Sequence, residues 1–185
     1  MAAAVALHVE QGIVGTSWEE IASRAGVAPS TIYRHFPDLD ALIPACTRAE
    51  FEAGAQLPKA EELVRAFPPG VGTAERVDVL IGGSCRCYER GDAWLEVARG
   101  EAHLVSALGE AKRLQLEALR LLIRTALGGA TENRPTDRRV EAALLGLLDY
   151  PTWKALREAG IPASAIPPLL GRLARTLNGS EEGAD

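Results

Sequence analysis

A chain of 185 residues with 47% hydrophobic and 24% charged side chains has the composition of a folded globular protein, not of a disordered one. No apolar run is long enough to predict a membrane span, the N-terminus lacks the pattern of a secretion signal, and three cysteines do not predict a disulfide framework. The formal net charge of −5 does not favour a nucleic-acid-binding protein, and the composition as a whole predicts a cytoplasmic protein without membrane contact.

The first two predicted helices lie near the N-terminus. Alanines alternating with larger apolar residues predict a helix over residues 2–11 that ends at Gly12. Ser17 followed three residues later by Glu20 is a capping-box pattern, so a second helix begins there. The apolar face of this second helix consists of Ile21, Ala22 and Ala25.

A sharp turn and a third short helix follow. Gly26 permits the turn, and Pro29 suits the first position of the next helix. Val27 is expected to fill the angle between the two helices, while Ile32 and Phe36 face inward. The face left outside carries hydroxyl, phenol and guanidinium groups, which suit DNA phosphates and base edges. Its residues are Ser30, Thr31, Tyr33 and Arg34.

This segment resembles the DNA-binding end of the TetR/AcrR family of transcriptional regulators, over residues 5–45. The resemblance implies an all-helical homodimer in which an N-terminal helix-turn-helix precedes a larger C-terminal domain for ligand binding and dimerisation. It also implies transcriptional control, most often repression relieved by a small molecule. The matching residues are Ile21, Ala22, Ala25, Gly26, Val27, Thr31, Ile32, Tyr33, His35, Phe36 and Leu42.

The candidate DNA contacts lie on the third helix and at the start of the second. The resemblance implies that Tyr33 holds a phosphate oxygen, and the Thr31 hydroxyl near a helix N-terminus can meet another. Arg34 can pair with guanine, but a phosphate contact or simple solvation fits it nearly as well. The Ser17 hydroxyl is better explained by helix capping. The full set is Ser17, Trp18, Pro29, Ser30, Thr31, Tyr33 and Arg34.

Three features are expected to lower the affinity for DNA. Residues 1–45 carry two basic side chains against five acidic ones, a net charge of −3. Ala28 stands where the family usually has a helix-capping serine, and Leu39 stands where a phosphate-binding lysine is common. We therefore expect modest non-specific affinity for DNA and a shallow dependence on salt.

Helical patterns continue to the end of the chain, and no strand-like alternation persists. Asp38 is expected to cap the fourth helix, and Pro151 to end or kink a helix with a packing seam at 140–148. Turn-forming residues predict a break at 128–135. Further helices are expected at 39–54, 59–66, 73–90, 93–104, 105–127 (the longest) and 169–177, and Trp153, Leu156 and Gly160 are expected to complete the helix that contains the 140–148 seam.

The resulting prediction is an all-α protein of about nine helices. A helix-turn-helix domain is expected at residues 1–45, a ligand-binding and dimerisation domain at 46–178, and a mobile tail at 179–185.

The resemblance places a ligand site in the C-terminal domain, among the helices from residue 55 to residue 125. Few aromatic residues (5%) and many Leu, Ala and Val predict a pocket for an apolar or mixed ligand. Each candidate side chain is more often part of an ordinary core or surface. The candidates are Tyr88, Trp94 and His103.

Two apolar stripes near the C-terminus favour a dimer interface. Two helices whose apolar faces exceed the needs of a core can form a four-helix interface with their symmetry mates. The alternative is that both helices simply close the core of one chain. The interface candidates are Val140, Leu144, Leu147, Leu148, Trp153, Leu169, Leu170, Leu173 and Leu177.

Residues for catalysis or metal binding are not grouped in the sequence. There is no phosphate-binding glycine loop, no serine elbow and no metal-ligand spacing, so we expect no enzyme activity, cofactor or metal. Cys85 and Cys87 form a C-x-C pair that packing explains better than redox or metal chemistry, because only His103 lies near them in sequence.

The sequence therefore predicts a homodimeric DNA-binding repressor that a small-molecule effector releases from a palindromic double-stranded operator. The alternative is a dimeric small-molecule-binding or protein-interaction module with a weakened DNA-binding end. The net charge of residues 1–45 and Leu39 favour this alternative slightly.

Overall fold

The chain is all-α, as predicted. The computed structural model describes residues 1–51, 65–128 and 137–179, and this part of the chain contains nine α-helices, one short 3₁₀ turn and no strand. The predicted helix at 59–66 and the predicted break at 128–135 fall largely outside the described residues, as does most of the predicted tail.

Most helices begin and end within a few residues of the predicted positions. Among the described residues, no helix is long and apolar enough to cross a membrane. The first four helices are α1 Ala2–Gln11, α2 Trp18–Ala25, α3 Pro29–His35 and α4 Leu39–Phe51. The other five are α5 Thr73–Gly100, α6 Ser106–Ala126, α7 Arg138–Leu148, α8 Tyr150–Glu158 and α9 Ile166–Gly179, with the 3₁₀ turn Ala163–Ala165 before α9.

Helix α5 consists of two helical segments, as predicted for 73–90 and 93–104. They meet at a kink at Gly91, whose φ of −103° and ψ of 15° are not helical. The prediction that Gly91 interrupts the helix is confirmed, although the second segment ends at Gly100 and not at residue 104. Because α5 is divided there, the 21 residues of α6 form the longest uninterrupted helix among the described residues, as predicted for 105–127.

The described residues form two compact units. The first unit comprises those within Met1–Leu57 and Gly91–Gln115, and the second comprises those within Pro58–Arg90 and Leu116–Asp185. Residues 91–115 thus share a unit with α1 to α4, although they lie far along the chain. The predicted domain boundary after residue 45 stays a prediction.

The first unit is built around one apolar core. Trp94, from the second part of α5, is 2% exposed, and Val105 and Leu108 at the start of α6 are buried with it. The N-terminal helices turn their apolar sides toward these residues. They contribute Ala4, Leu7, Ile13, Ile21, Leu42, Ile43 and Cys46.

An aromatic cluster lies in the core of the second unit. The rings of Tyr88, Tyr150 and Trp153 have centroids 5.7–6.1 Å apart. The Tyr88 hydroxyl donates a hydrogen bond of 2.8 Å to the Leu148 carbonyl oxygen. The cluster therefore joins α5 to the end of α7 and to α8.

The boundary between α7 and α8 follows from local chemistry. Helix α7 ends at Leu148, and the Asp149 carboxylate accepts the Tyr150 N–H at 2.8 Å, so Asp149 caps α8. Pro151 lies in the first turn of α8, where its missing N–H costs nothing. Of the two predicted effects of Pro151, an end or a kink, the structure shows an end in this region, but the helix ends at Leu148 and Pro151 belongs to the start of the next one.

Candidate nucleic-acid interface

The N-terminus of α2 is closed by the predicted capping box. The Ser17 Oγ accepts the Glu20 N–H at 3.2 Å, and the Glu20 carboxylate accepts the Ser17 N–H at 2.8 Å. The hydrogen bond from the Ser17 backbone, followed by that from its hydroxyl, lowers the pKa of Glu20. Because the Ser17 hydroxyl also donates to Glu20, at 2.7 Å, its role in this structure is capping. A DNA contact by Ser17 stays a prediction.

The turn between α2 and α3 depends on Gly26. This residue adopts φ 68° and ψ 33°, a left-handed conformation that favours glycine. The Val27 N–H then bonds to the Ala22 carbonyl oxygen at 3.0 Å. Val27 itself is 42% exposed, so the prediction that it fills the angle between the helices is wrong. The turn carries Val27 past the core, and Ile32 and Phe36 pack there instead, as predicted.

Helix α3 presents the predicted polar face to solvent. It begins at Pro29 after Ala28, which provides no side-chain cap, as the sequence indicated. Ser30 and Arg34 are exposed and Thr31 is half-buried. These groups lie on a short helix, one side of which is exposed to solvent. That arrangement suits insertion into a DNA groove.

Trp18 and Tyr33 form one contact between α2 and α3. Their ring centroids lie 5.4 Å apart with the rings tilted by 43°. Trp18 is partly buried against the core of the first unit, whereas Tyr33 remains 44% exposed. The indole therefore packs between the core and the phenol ring, and Tyr33 remains accessible to solvent.

The surface carries little free positive charge. The Arg24 guanidinium forms an ion pair of 2.6 Å with Glu10, and this hydrogen bond lowers the pKa of the Glu10 carboxyl. Within residues 1–45, all of which the structure describes, Arg34 is the arginine without an ion-pair partner. Arg34, the hydroxyls and the backbone N–H groups of this surface therefore stay the predicted phosphate contacts.

The ligand-site candidates are not brought together in one unit. Tyr88 lies in the second unit with its hydroxyl bonded to a backbone carbonyl. Trp94 and His103 belong to the first unit, where Trp94 is buried 6.2 Å from the ring of His8 and His103 is exposed. A ligand site at these residues stays a prediction.

The dimer-interface candidates divide into two groups. The core of the second unit holds Leu144, Leu148, Trp153 and Leu170, each no more than 2% exposed. Val140 and Leu169 are half-buried. An open groove of about 440 Å³ is lined by Ala143, Gly146, Leu147, Thr152, Leu173, Thr176 and Leu177. Among the interface candidates, Leu147, Leu173 and Leu177 thus line the groove, and Leu173 is 45% exposed.

Sequence reasoning missed two carboxylates of the first unit. The Glu101 carboxylate accepts the N–H groups of Ile13 at 3.0 Å and Val14 at 2.7 Å, between α1 and α2. The Asp40 carboxylate accepts hydrogen bonds from the Ser106 hydroxyl at 2.6 Å and from the Ala107 N–H at 2.9 Å. No local signal points to either pairing, because the partners lie 66–88 residues apart.

Of the three cysteines, Cys46 and Cys85 are buried and Cys87 is partly buried. Burial raises the pKa of the Cys85 thiol to about 11 and that of Cys46 to about 12, and it also raises the pKa of Cys87. Such thiols are protonated near neutral pH and are poor nucleophiles and ligands. The described residues contain no cluster of potential metal ligands.

Comparisons with known proteins identify the helix-turn-helix. Residues 1–46 match the family model described as bacterial regulatory proteins of the tetR family. No curated protein matches the chain.

Similar solved structures extend over nearly the whole chain. A transcriptional regulator from Rhodococcus sp. RHA1 is 19% identical, with a TM-score of 0.67 over 95% of this chain and 92% of its own. A TetR-like transcriptional regulator from Rhodococcus sp. RHA1 is 23% identical, with a TM-score of 0.65 over 97% and 93%. GusR from Salmonella enterica is 21% identical, with a TM-score of 0.59 over 94% and 92%. These likenesses show the fold, and with the family model they confirm the resemblance found in the sequence.

Proposed function

We propose that this chain, which carries a TetR-family helix-turn-helix at residues 1–46 and the fold of TetR-family transcriptional regulators, is a homodimeric repressor. In this proposal a small molecule releases it from a palindromic operator. The observation that carries the DNA-binding part is the exposed outer face of α3, where Tyr33 rests on Trp18 beside Arg34.

The mechanism we propose is geometric. Two recognition helices of a dimer read successive major grooves when they lie one turn of DNA apart, roughly 34–36 Å. An effector that binds better to a dimer with a different spacing shifts the population away from the DNA-binding state. Only a difference in affinity between the two states can drive this release.

The groove on the second unit is our candidate for the dimer contact. Leu147 from α7 and Leu173 and Leu177 from α9 form its apolar lining. A two-fold axis would place the same groove of a second copy against it, since a symmetric dimer uses one surface twice. The proposed interface is smaller than the full set predicted from the sequence, because four of those residues are already in the monomer core.

The proposal is tested by titrating the full-length protein into a labelled palindromic duplex taken from the promoter beside its gene. Specific binding is expected at low salt, with a shallow salt dependence because few cations face the DNA. The absence of specific binding would remove the proposed function but not the fold.

A double variant tests which residues carry the binding. Tyr33→Ala with Arg34→Ala should weaken operator binding at least tenfold, because a polar and a charged contact are lost together, each worth about 1–3 kcal/mol. Fluorescence anisotropy measures affinity, and sedimentation shows that the dimer is retained. The exposed pair Glu110→Ala with Arg113→Ala on α6 provides the matched control.

One specific observation favours the alternative, a dimeric small-molecule-binding or protein-interaction module with a weakened DNA-binding end. The Arg24–Glu10 ion pair partly neutralises one of the two basic side chains of residues 1–45. If the double variant binds the duplex as well as the wild-type protein does, this alternative is preferred.

A further inference from the structure

Glu101 lies directly after α5 and reaches back to the N-terminal helices. Each of its carboxylate oxygens accepts one backbone N–H: Oε1 takes that of Ile13 at 3.0 Å, and Oε2 takes that of Val14 at 2.7 Å. Hydrogen bonds to a charged acceptor are about twice as strong as neutral ones. Two of them fix both the position and the orientation of the turn between α1 and α2.

The turn between α1 and α2 is shaped around this carboxylate. Gly12 has φ +88°, and a Cβ added there would lie 2.6 Å from the Glu101 Oε1. Ile13, the next residue, is fully buried, and the Glu101 carboxylate is the acceptor of its N–H. Glycine at position 12 therefore leaves the room that the Glu101 carboxylate needs.

The same turn leads directly into the proposed DNA-binding surface. The Thr16 Oγ1 donates a hydrogen bond to the Gly12 carbonyl oxygen at 2.6 Å, and Ser17 then caps α2. Trp18 is the first residue of α2, and its ring contacts that of Tyr33. Trp18 lies only four positions after Val14, whose N–H bonds to Glu101.

A second carboxylate holds the segment that carries Glu101. Asp40 on α4 accepts the Ser106 hydroxyl at 2.6 Å and the Ala107 N–H at 2.9 Å, at the N-terminus of α6. A negative charge at the N-terminus of a helix is stabilising. The residues between α5 and α6 are thus tied to the N-terminal helices at both ends, by Glu101 and by Asp40.

We propose that Glu101 is a positioning residue for DNA binding. Its carboxylate fixes the turn between α1 and α2, and through this turn it holds Trp18 and Tyr33 in the arrangement that meets DNA. The inference rests on the proposed function. It assigns part of the operator affinity to a residue far from the helix-turn-helix in sequence.

The sign of the effect separates positioning from charge. If Glu101 acted only as a negative charge near DNA, its removal would strengthen binding, and most at low salt. If it positions the turn, its removal weakens binding. The loss is then nearly independent of salt, because Glu101 neutralises no phosphate.

The experiment compares full-length Glu101→Ala and Glu101→Gln with the wild-type protein in operator titrations at several salt concentrations. We expect about a tenfold loss of affinity for Glu101→Ala and a smaller loss for Glu101→Gln, whose amide oxygen still accepts a hydrogen bond. Glu110→Ala is the matched control, since Glu110 is exposed and pairs with Arg113 on its own helix. This control should bind as the wild-type protein does.

A double-mutant cycle distinguishes positioning from general loss of stability. If Glu101 acts through Trp18, the effect of Glu101→Ala on affinity should shrink in a Trp18→Ala background. Each affinity is calculated from the concentration of folded protein, and urea unfolding gives the folded fraction of each variant. Equal or tighter binding by folded Glu101→Ala, or fully additive losses in the cycle, would overturn the inference. If the wild-type protein binds no operator, the proposed function fails and the inference fails with it.

Discussion

His8 shows at the scale of one residue how burial sets chemistry. It is completely buried on α1, 6.2 Å from the ring of Trp94, and neither ring nitrogen makes a hydrogen bond of good geometry, although the Gly12 backbone lies close to the ring. Burial lowers its pKa, although the Gly12 backbone and the Glu101 carboxylate act in the opposite direction. The folded state therefore holds His8 neutral, whereas the unfolded chain takes up a proton below about pH 6.5. Protonation therefore favours the unfolded chain, so the free energy of unfolding decreases as the pH falls below about 6.5.

His8→Leu should remove this pH dependence. Leucine takes up no proton and leaves no polar atom unpaired, so the variant should be as stable as the wild type near pH 7.5, or more stable by about 1 kcal/mol. Its advantage should grow as the pH falls from 7.5 to 5.5. Urea unfolding at several pH values measures this. His103→Ala, which removes an exposed histidine from the same unit, is the control. An advantage that stays constant with pH would show that His8 does not titrate on unfolding.

Helices α2 and α3 differ at the scale of one element in how each begins. Helix α2 has a complete capping box, whereas α3 follows Ala28 and has no side-chain cap. Both starts could be predicted from sequence, because a cap involves residues only two or three positions apart. The interruption of α5 at Gly91 could also be predicted from sequence, because glycine favours non-helical backbone geometry.

Ala28→Ser should stabilise the protein by about 1 kcal/mol. Ala28 already has the extended backbone of an N-cap, with φ −71° and ψ 144°, so a serine hydroxyl can accept a free N–H of the first turn. Thermal and urea unfolding measure the change. Ala25→Ser, an exposed position at the end of α2, adds the same hydroxyl where no cap is needed and should not stabilise. Equal effects of both substitutions would argue against a capping role at position 28.

At the scale of the whole molecule, the apolar groove on the second unit bears on whether the chain forms a dimer. Leucine stripes on α7 and α9 predicted either a dimer interface or a closed monomer core. The structure divides the stripes: Leu144 and Leu170 are buried, while Leu147 and Leu173 line the groove. The periodicity of a helix indicates which side is apolar, but not how much of that side a neighbouring helix covers.

Leu173→Glu should convert the proposed dimer into a monomer. Leu173 is 45% exposed in the single chain, so a carboxylate there stays hydrated in the monomer but would be desolvated at an apolar interface. Sedimentation velocity measures the oligomeric state, and operator affinity should fall because the two half-sites are no longer read together. Leu121→Glu, on α6 and 38% exposed, is the matched control outside the groove. A Leu173→Glu protein that remains a dimer would place the interface elsewhere.

The amino-acid sequence by itself determined the all-α class, the capping box at Ser17, the turn at Gly26 and the polar outer face of α3. Each of these depends on residues within about four positions of one another, where backbone geometry and hydrogen bonding act locally. Only the tertiary structure decided that Trp18 supports Tyr33, that Glu101 and Asp40 tie residues 91–115 to the first four helices, and which leucines remain open. These contacts join positions from 15 to 88 residues apart, and their existence depends on which helices become neighbours when the apolar faces are buried.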